Sequence, residues 1–177
     1  MLINHAANMS PKKIDAHVLK ILDSVSEQYL RELVKQISIP RHFIAQPQNN
    51  QKIAHWIAQQ LKSYGYQTQF QGKFANILTL SPNNSSKPSI LVGAHYDSVP
   101  QTPGADDNAS ACAALLACAK AVAEHTSQTP VCFVLFNREE DDLMGSKNFV
   151  KTHLIKNKIK IAQAQIAILL TNIDINA

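Results

Sequence analysis

Seven ionisable side chains stand where apolar segments of the sequence end. They are His95, Asp97, Asp106, Asp107, Glu139, Glu140 and Asp174. Carboxylates that are brought together repel one another and lose hydration, so each needs a proton or a nearby cation. The only fixed positive charge expected near them is Arg138, and one arginine cannot neutralise so many acids. Such a cluster therefore indicates one or two divalent metal ions.

The residue types indicate which metal. An imidazole beside several carboxylates suits zinc better than calcium or magnesium, because the latter two prefer sites built from oxygen atoms alone. A carboxylate between two metal ions about 3.5–4 Å apart would hold them as a pair, and a neighbouring glutamate outside the metal ligands can act as base for a metal-bound water. The residues therefore predict zinc or a close substitute.

The elements that must position these groups follow from hydrophobic periodicity. Apolar runs predict buried strands over residues 90–95, 131–136 and 165–174, and shorter strands over 66–70, at a sheet edge, and 76–80. Helical spacing predicts one long or two short helices over 11–37, and further helices over 50–63, 107–124 and 143–156. Strands that alternate with helices predict the α/β class with a largely parallel sheet. The strands of such a sheet end at one edge, where the acidic groups are expected to converge.

Length and composition exclude several classes of protein. A chain of 177 residues fits one domain, and its net charge of +4 comes from lysines that are scattered and form no basic block. No export signal or apolar segment of membrane-spanning length is visible. Three cysteines in apolar segments, Cys112, Cys118 and Cys132, are expected to be reduced core residues. The sequence thus predicts a cytoplasmic protein with no nucleic-acid or membrane partner, and leaves its oligomeric state open.

Four motifs then carry a resemblance to a known family. They are "HYDS" at 95–98, "GADDNAS" at 104–110, "REEDDLMGS" at 138–146 and "NID" at 172–174. In this order they resemble the co-catalytic di-zinc exopeptidases that include bacterial leucyl aminopeptidases and glutamate carboxypeptidase. "PQNNQKIAHWIAQQLKSYGY", followed by "ANILTL", looks like that family's opening helix and strand. The resemblance covers residues 40–177 and leaves 1–39 as a helical segment packed on that domain.

The resemblance implies a fold, a substrate class and a set of roles. The fold would be the three-layer zinc-peptidase architecture of the phosphorylase/hydrolase type, and the substrate a peptide that loses its N-terminal residue. His95 and Asp174 would bind one zinc ion, Glu140 would bind a second, and Asp107 would bridge them. Glu139 would be the general base, and Asp97 would orient His95 through a hydrogen bond. Asp106 would be joined to Asp107 by a cis peptide bond.

The chain also departs from the family pattern. Arg138, Asp142 and Ala111 stand at positions where the family often has glycine. The family has a further histidine ligand well downstream of the position of Asp174, and the other six histidines of this chain are interpreted as surface residues without partners. The chain is therefore expected to be the N-terminal part of a longer enzyme, with the C-terminal part of the domain missing.

Two other functions remain open at this stage. The chain could be a non-catalytic member that keeps the scaffold for association, with incomplete metal binding. It could also resemble the glutaminyl cyclases, which share the architecture and use a single zinc ion, although the aspartate pair followed by Asn108 looks more like the peptidases. Taken alone, Asp106, Asp107 and Asn108 are also what the start of any helix favours.

Overall fold

A computed structural model describes residues 15–80, 89–125, 131–155 and 161–166 of the chain. The strands are β1 (Thr68–Gln71), β2 (Asn76–Thr79), β3 (Ser89–His95), β4 (Val131–Phe136) and β5 (Ile161–Ile166). The helices are α1 (Ala16–Asp23), α2 (Glu27–Ile37), α3 (Pro47–Ser63), α4 (Ala111–His125) and α5 (Met144–Phe149). Within these ranges no helix is both long and apolar enough to cross a membrane.

The five strands form one sheet in the order β1-β2-β4-β3-β5. Strands β3, β4 and β5 are parallel, whereas β2 runs antiparallel to both β4 and β1. The α/β class is confirmed, and β1 is an edge strand as its alternating sequence predicts. The sheet is mixed, since two of its four pairings are antiparallel, and the parallel part is the one that carries the predicted site.

Side chains from alternate positions of the strands build two cores, one on each face of the sheet. Phe133 and Leu135 of β4 pack in the larger core with α2, α3 and α4. Val134 and Phe136 face the opposite way and pack with Phe149 of α5. Helices therefore cover both faces, which confirms the three-layer architecture. Leu33, Val34 and Ile37 of α2 belong to the larger core, and the predicted division of the chain at residues 39–40 stays a prediction.

Local signals explain the helix boundaries. The segment after residue 14 forms two helices because Ser26 is the N-cap of α2. Its side chain accepts a hydrogen bond from the Tyr29 N–H. Proline at the first position, Pro47, begins α3 three residues before the predicted start. Helix α5 ends at Phe149 and continues as a π-helical turn over Val150–Ile155, within the helix predicted for residues 143–156.

Three expectations need correction. The helix predicted from residue 107 begins at Ala111, because Asp107 and Asn108 have non-helical backbone angles. Strand β5 begins at Ile161, four residues before the predicted start, and residues 167–174 of that predicted strand lie outside the described ranges. Cys112 is buried and Cys132 is half-buried, but Cys118 is exposed on α4, so it is not a core residue.

Candidate metal centre

The candidate site lies at the edge where β3 and β4 end. The two strands are parallel and His95 lies opposite Phe136 in their register. The chain segments that follow both strands therefore leave the sheet side by side, as the Tyr96 N–H shows by donating to the Phe136 carbonyl at 2.9 Å. This arrangement brings the residues after position 95 and those after position 136 to one place.

Three predicted ligands meet at this edge. Nε2 of His95 lies 3.0 Å from Oδ1 of Asp107. One ligand atom from each of His95, Asp107 and Glu140 lies within 4.8 Å of the others, close enough to hold one metal ion. His95 is only 5% exposed, whereas the side chain of Asp107 is 52% exposed, so the cluster opens to solvent on the aspartate side. The fourth predicted ligand, Asp174, lies outside the described residues.

A tight turn between β3 and α4 presents Asp107. Gly104 has a φ of +53°, and a Cβ there would lie 2.5 Å from the Asp107 carbonyl oxygen and 2.8 Å from the Ser98 Cβ, so only glycine fits. The peptide bond between Asp107 and Asn108 is cis. The prediction of a cis bond between Asp106 and Asp107 is therefore wrong by one residue. Neither bond involves proline, so residue type does not mark which one is cis.

Asp97 holds the two strand ends together. It is fully buried, and its carboxylate accepts hydrogen bonds from the N–H groups of Glu139 and Glu140, each at 3.2 Å. Its Oδ1 also lies 3.4 Å from Nδ1 of His95. Nδ1 of His95 has no hydrogen-bond partner in the described part of the chain, so the orienting hydrogen bond stays a prediction, and the hydrogen bonds of Asp97 are with the segment that carries both glutamates. Sequence motifs alone do not reveal this second contact.

Glu139 is held beside the cluster by one of its two carboxylate oxygens. Oε1 accepts a hydrogen bond from the Ser146 hydroxyl at 3.1 Å. Oε2 of Glu139 and Oε1 of Glu140 are buried and have no hydrogen-bond partner in the described part of the chain. Buried carboxylate oxygens normally have a partner. Their lack of one here fits a site that takes up a cation or a water molecule.

Electrostatics point in the same direction. Burial, followed by the charge of Asp107, raises the pKa of Glu140. Burial also raises the pKa of Glu139, against the hydrogen bond from Ser146. For His95, burial alone would lower the pKa, but the negative charges of Asp97, Asp107 and Glu140 leave it raised. Relative to a free side chain, each shift favours the protonated form, as burial among acidic neighbours does, and a bound cation would oppose the shifts of the two glutamates.

A second fixed positive charge, that of Arg41, lies beside the cluster, and the sequence analysis did not predict it. Arg41 is fully buried, and it interacts electrostatically with Asp97, Asp107 and Glu140. Burial lowers the pKa of Arg41, and the negative charges of these carboxylates act in the opposite direction. The expectation that Arg138 is the only nearby cation is therefore wrong, because Arg41 reaches the site from a distant loop. Both arginines together still do not satisfy the buried glutamate oxygens.

One histidine interpreted as a surface residue is buried. His42 is only 7% exposed, and its Nδ1 accepts hydrogen bonds from the N–H groups of Ile44 and Ala45. Its Nε2 lies 3.5 Å from Oδ1 of Asp141. Because Nδ1 accepts hydrogen bonds, the neutral ring carries its proton on Nε2, facing Asp141. His42 therefore supports the loop after β4, and it is not one of the three clustered ligands.

The departures from glycine fall at informative backbone positions. Arg138 has a φ of +56° and Asp142 a φ of +62°, the left-handed region that favours glycine. Ala111 has a φ of −69°, so its side chain fits an ordinary helix. Arg138 gains contacts in return, since its Nε lies 2.9 Å from Asp141 and its guanidinium lies over the rings of Phe43 and Phe74. Asp142 gains only an exposed contact with Lys147.

Replacing Asp142 by glycine is accordingly expected to stabilise the protein. The left-handed backbone suits glycine, and an exposed ion pair contributes little. Glycine removes the strain of the left-handed backbone, but it also gives the unfolded chain more conformational entropy, which lowers stability. The net result should be a rise of about 0.5 kcal/mol in the free energy of unfolding. Urea denaturation measures it, with Asp142→Ala as the control that keeps a side chain and is expected to destabilise. A glycine variant less stable than wild type would contradict the interpretation.

Buried asparagines support the end of β4, and residue types alone did not identify them as part of the site. The side-chain amides of Asn50 and Asn137 donate to each other's oxygens at 2.9 and 3.0 Å. Asn76 accepts from the Asn137 N–H and donates to the Gly145 carbonyl, both at 3.0 Å. Asn76 begins β2, which runs antiparallel to β4, so the start of one strand meets the end of the other. The sequence feature that could have identified them is an asparagine at the start or end of an apolar run, as at Asn76 and Asn137.

Gly145 of the "MGS" motif allows α5 to approach this network. A Cβ at this position would lie 1.9 Å from the Asn137 carbonyl oxygen and 2.7 Å from Oδ1 of Asn76. Gly145→Ala is therefore expected to lower the free energy of unfolding by about 3 kcal/mol, as severe overpacking does. Gly65→Ala is the comparison, because Gly65 has a φ of +97° and open space around it, and should cost about 1 kcal/mol. Equal losses in urea denaturation would contradict a steric role for Gly145.

The fold and the cluster together define an α/β protein with a candidate metal site at the carboxyl edge of its parallel strands. Residues 76–175 match the sequence model of Peptidase family M28. Because this match covers more than half of the chain, the protein belongs to Peptidase family M28. Membership confirms the zinc exopeptidase resemblance of the motifs, while the individual ligand roles stay predictions.

One relative matches part of the sequence, and two solved structures share the fold. Over 80 residues the chain is 40% identical to Aminopeptidase YwaD of Bacillus subtilis. This alignment covers 45% of this chain and 17% of YwaD. A crystal structure of LapA from Legionella pneumophila has a TM-score of 0.77 at 16% identity and covers 92% of this chain and 49% of LapA. A glutaminyl cyclase of Tannerella forsythia has a TM-score of 0.68 at 17% identity, over 80% of this chain and 60% of that protein. The two structures show a shared fold.

Proposed function

We propose that the chain forms part of a zinc-dependent aminopeptidase that releases N-terminal residues from peptides. The observation that carries the proposal is the convergence of His95, Asp107 and Glu140 on one point, with a buried and unpartnered oxygen of Glu139 next in the chain. Family membership supports a peptide as the substrate. The aminopeptidase direction of cleavage comes from similarity to YwaD, which bears that name.

The donor set of this cluster fits zinc. One imidazole nitrogen, from His95, and the carboxylates of Asp107 and Asp174 would hold one ion. Zinc in such a site supplies a Lewis acid that polarises the substrate carbonyl and makes water more acidic. Glu140 would hold a second ion, which is expected from the family resemblance, with Asp107 as the residue shared between the two. The raised pKa values of both glutamates are consistent with a cation as the missing partner.

Glu139 is the proposed general base. Its Oε1 is occupied by the Ser146 hydroxyl, so Oε2 is the oxygen that can accept a proton from the attacking water. The water oxygen bonds to the carbonyl carbon, the carbon–nitrogen bond breaks, and the proton held at Oε2 moves to the leaving amine nitrogen. Asp97 holds the Glu139 N–H throughout, and thereby keeps the carboxylate near the cluster.

Hydrolysis of aminoacyl anilides by the purified enzyme that contains this chain, with and without added zinc, tests the proposal. Metal content is measured on the same samples by elemental analysis. Zinc-dependent anilide release is the expected result. Zinc binding without hydrolysis would favour the non-catalytic interpretation instead. A parallel assay with an N-terminal glutaminyl peptide covers the cyclase alternative, since ring closure without anilide hydrolysis would replace the peptidase proposal.

A further inference from the structure

Arg41 makes an unusual set of contacts in the loop between α2 and α3. Its side chain donates to four backbone carbonyls, those of Ile39, Tyr96, Pro103 and Gly104. The Nε bond to Tyr96 is 2.6 Å long and the Nη2 bond to Gly104 is 3.0 Å long. Its backbone N–H also donates to the Ser98 hydroxyl at 3.1 Å. A guanidinium has several donors in a rigid plane, so one side chain can hold several segments at once.

The positions of these carbonyls connect Arg41 to the cluster. Tyr96 lies between His95 and Asp97 at the end of β3, and Gly104 begins the turn that carries Asp107. One side chain therefore joins the segments that present the imidazole and the aspartate. All of its hydrogen bonds from the side chain go to carbonyl oxygens, which leaves the carboxylates of the cluster available for other partners.

The turn is packed tightly against this guanidinium. A Cβ added at Gly104 would lie 3.2 Å from Nη1 of Arg41, in addition to its contact with the Asp107 carbonyl oxygen. The turn therefore has little room to move away from the end of β3. The same loop is fixed from its other side, because the Asn50 amide donates to the Arg41 carbonyl at 2.9 Å. A buried charge costs much free energy unless it is fully bonded, and Arg41 meets that condition with carbonyl oxygens and nearby acids.

We propose that Arg41 is a positioning residue of the metal site, and that its guanidinium sets the separation between His95 and Asp107. The inference rests on the proposed zinc site and deepens it. The 3.0 Å distance between Nε2 of His95 and Oδ1 of Asp107 joins atoms on two segments, and Arg41 bonds to both segments. The alternative is that Arg41 only stabilises the fold, in which case its loss affects zinc binding no more than any equally destabilising substitution.

The zinc affinity of the folded 177-residue chain distinguishes a positioning role of Arg41 from a role in fold stability alone. Dissociation constants are measured by competition with a chromophoric chelator for wild type, Arg41→Met, Arg41→Lys and Leu61→Ala. Leu61 is fully buried near the far end of α3 and serves as the control for lost stability. Circular dichroism identifies a temperature at which each variant used is folded. Arg41→Met should bind zinc about tenfold to a hundredfold more weakly, as loss of a group that orients ligands does.

Arg41→Lys should fall between wild type and Arg41→Met, because lysine keeps the charge but cannot bond to the same carbonyls together. It also provides the measurement if the methionine variant does not fold. Leu61→Ala should keep its zinc affinity despite a lower melting temperature. Wild-type affinity in the folded arginine variants, or an equal loss in Leu61→Ala, would overturn the positioning role. Equal zinc affinity of wild type and Asp107→Asn would instead remove the proposed zinc site itself.

Discussion

In the full-length enzyme that contains this chain, Glu139→Gln should reduce anilide hydrolysis by at least about a hundredfold, the lower range for loss of a general base. Glutamine has nearly the same shape and can still accept the Ser146 hydrogen bond, but its amide cannot take up a proton from water. The zinc content should stay unchanged, because Glu139 is outside the cluster of three ligand atoms. Steady-state rates and elemental analysis of the same preparation measure both quantities.

A matched control for this prediction is Glu124→Gln. Glu124 lies in the last turn of α4 and makes only a partly exposed contact with Lys120. Its substitution should leave both rate and zinc content at wild-type values. Parallel loss of zinc and activity in Glu139→Gln would assign Glu139 to the metal ligands. Retained activity in that variant would remove it from the mechanism.

Asp107→Asn is expected to have the largest effect on zinc affinity. It removes the charge of the carboxylate closest to His95, and with it one of the negative charges that would attract and bind the zinc ion. The loss should exceed about a hundredfold, the upper range for residues that only orient the ligands. The dissociation constant, measured by chelator competition at fixed pH, gives the comparison.

The neighbouring residue Asp106 provides the control, since it lies in the same turn and carries the same charge. Its carbonyl accepts a hydrogen bond from the Ser110 hydroxyl at 2.7 Å, and its exposed side chain is outside the cluster. Asp106→Asn should therefore bind zinc within about threefold of wild type, a change near the scale of one weak charge contact. Similar losses in the two variants would show that general negative charge, rather than coordination by Asp107, controls zinc binding.

The convergence of His95, Asp107 and Glu140 was predictable because it follows from topology. Two apolar runs of strand length predict parallel neighbours, and parallel neighbours end at one edge. Polar residues that follow each run must then meet. The antiparallel pairing of β2 was less predictable, since a short apolar strand reads the same in either direction.

Arg41 could not be predicted because its partners are backbone carbonyls. Every residue has a carbonyl oxygen, so no residue type identifies such partners. Helix α3 and strands β1, β2 and β3 also separate Arg41 from Gly104 in the sequence. The same reason explains the missed burial of His42, whose Nδ1 binds backbone N–H groups. The cis bond after Asp107 also has no marker in the sequence, because neither of its residues is proline.

Arg138 and Asp142 have left-handed backbone angles at positions where the family often has glycine. Similarity to the family indicated glycine at these positions, and the backbone angles explain why glycine suits them. At Arg138 the side chain contributes contacts with Asp141 and two aromatic rings. The side chain of Arg138 therefore adds contacts to the loop that carries Glu139 and Glu140.

Anomalous diffraction at the zinc absorption edge, from crystals of the chain grown with zinc, tests the central claim most directly. Zinc density is predicted within this cluster, with Nε2 of His95 and carboxylate oxygens of Asp107 and Glu140 as its ligands, each at about 2.0–2.2 Å from the ion that it binds. A well-ordered crystal that shows no peak among these three residues, or a zinc ion bound only elsewhere, would contradict it.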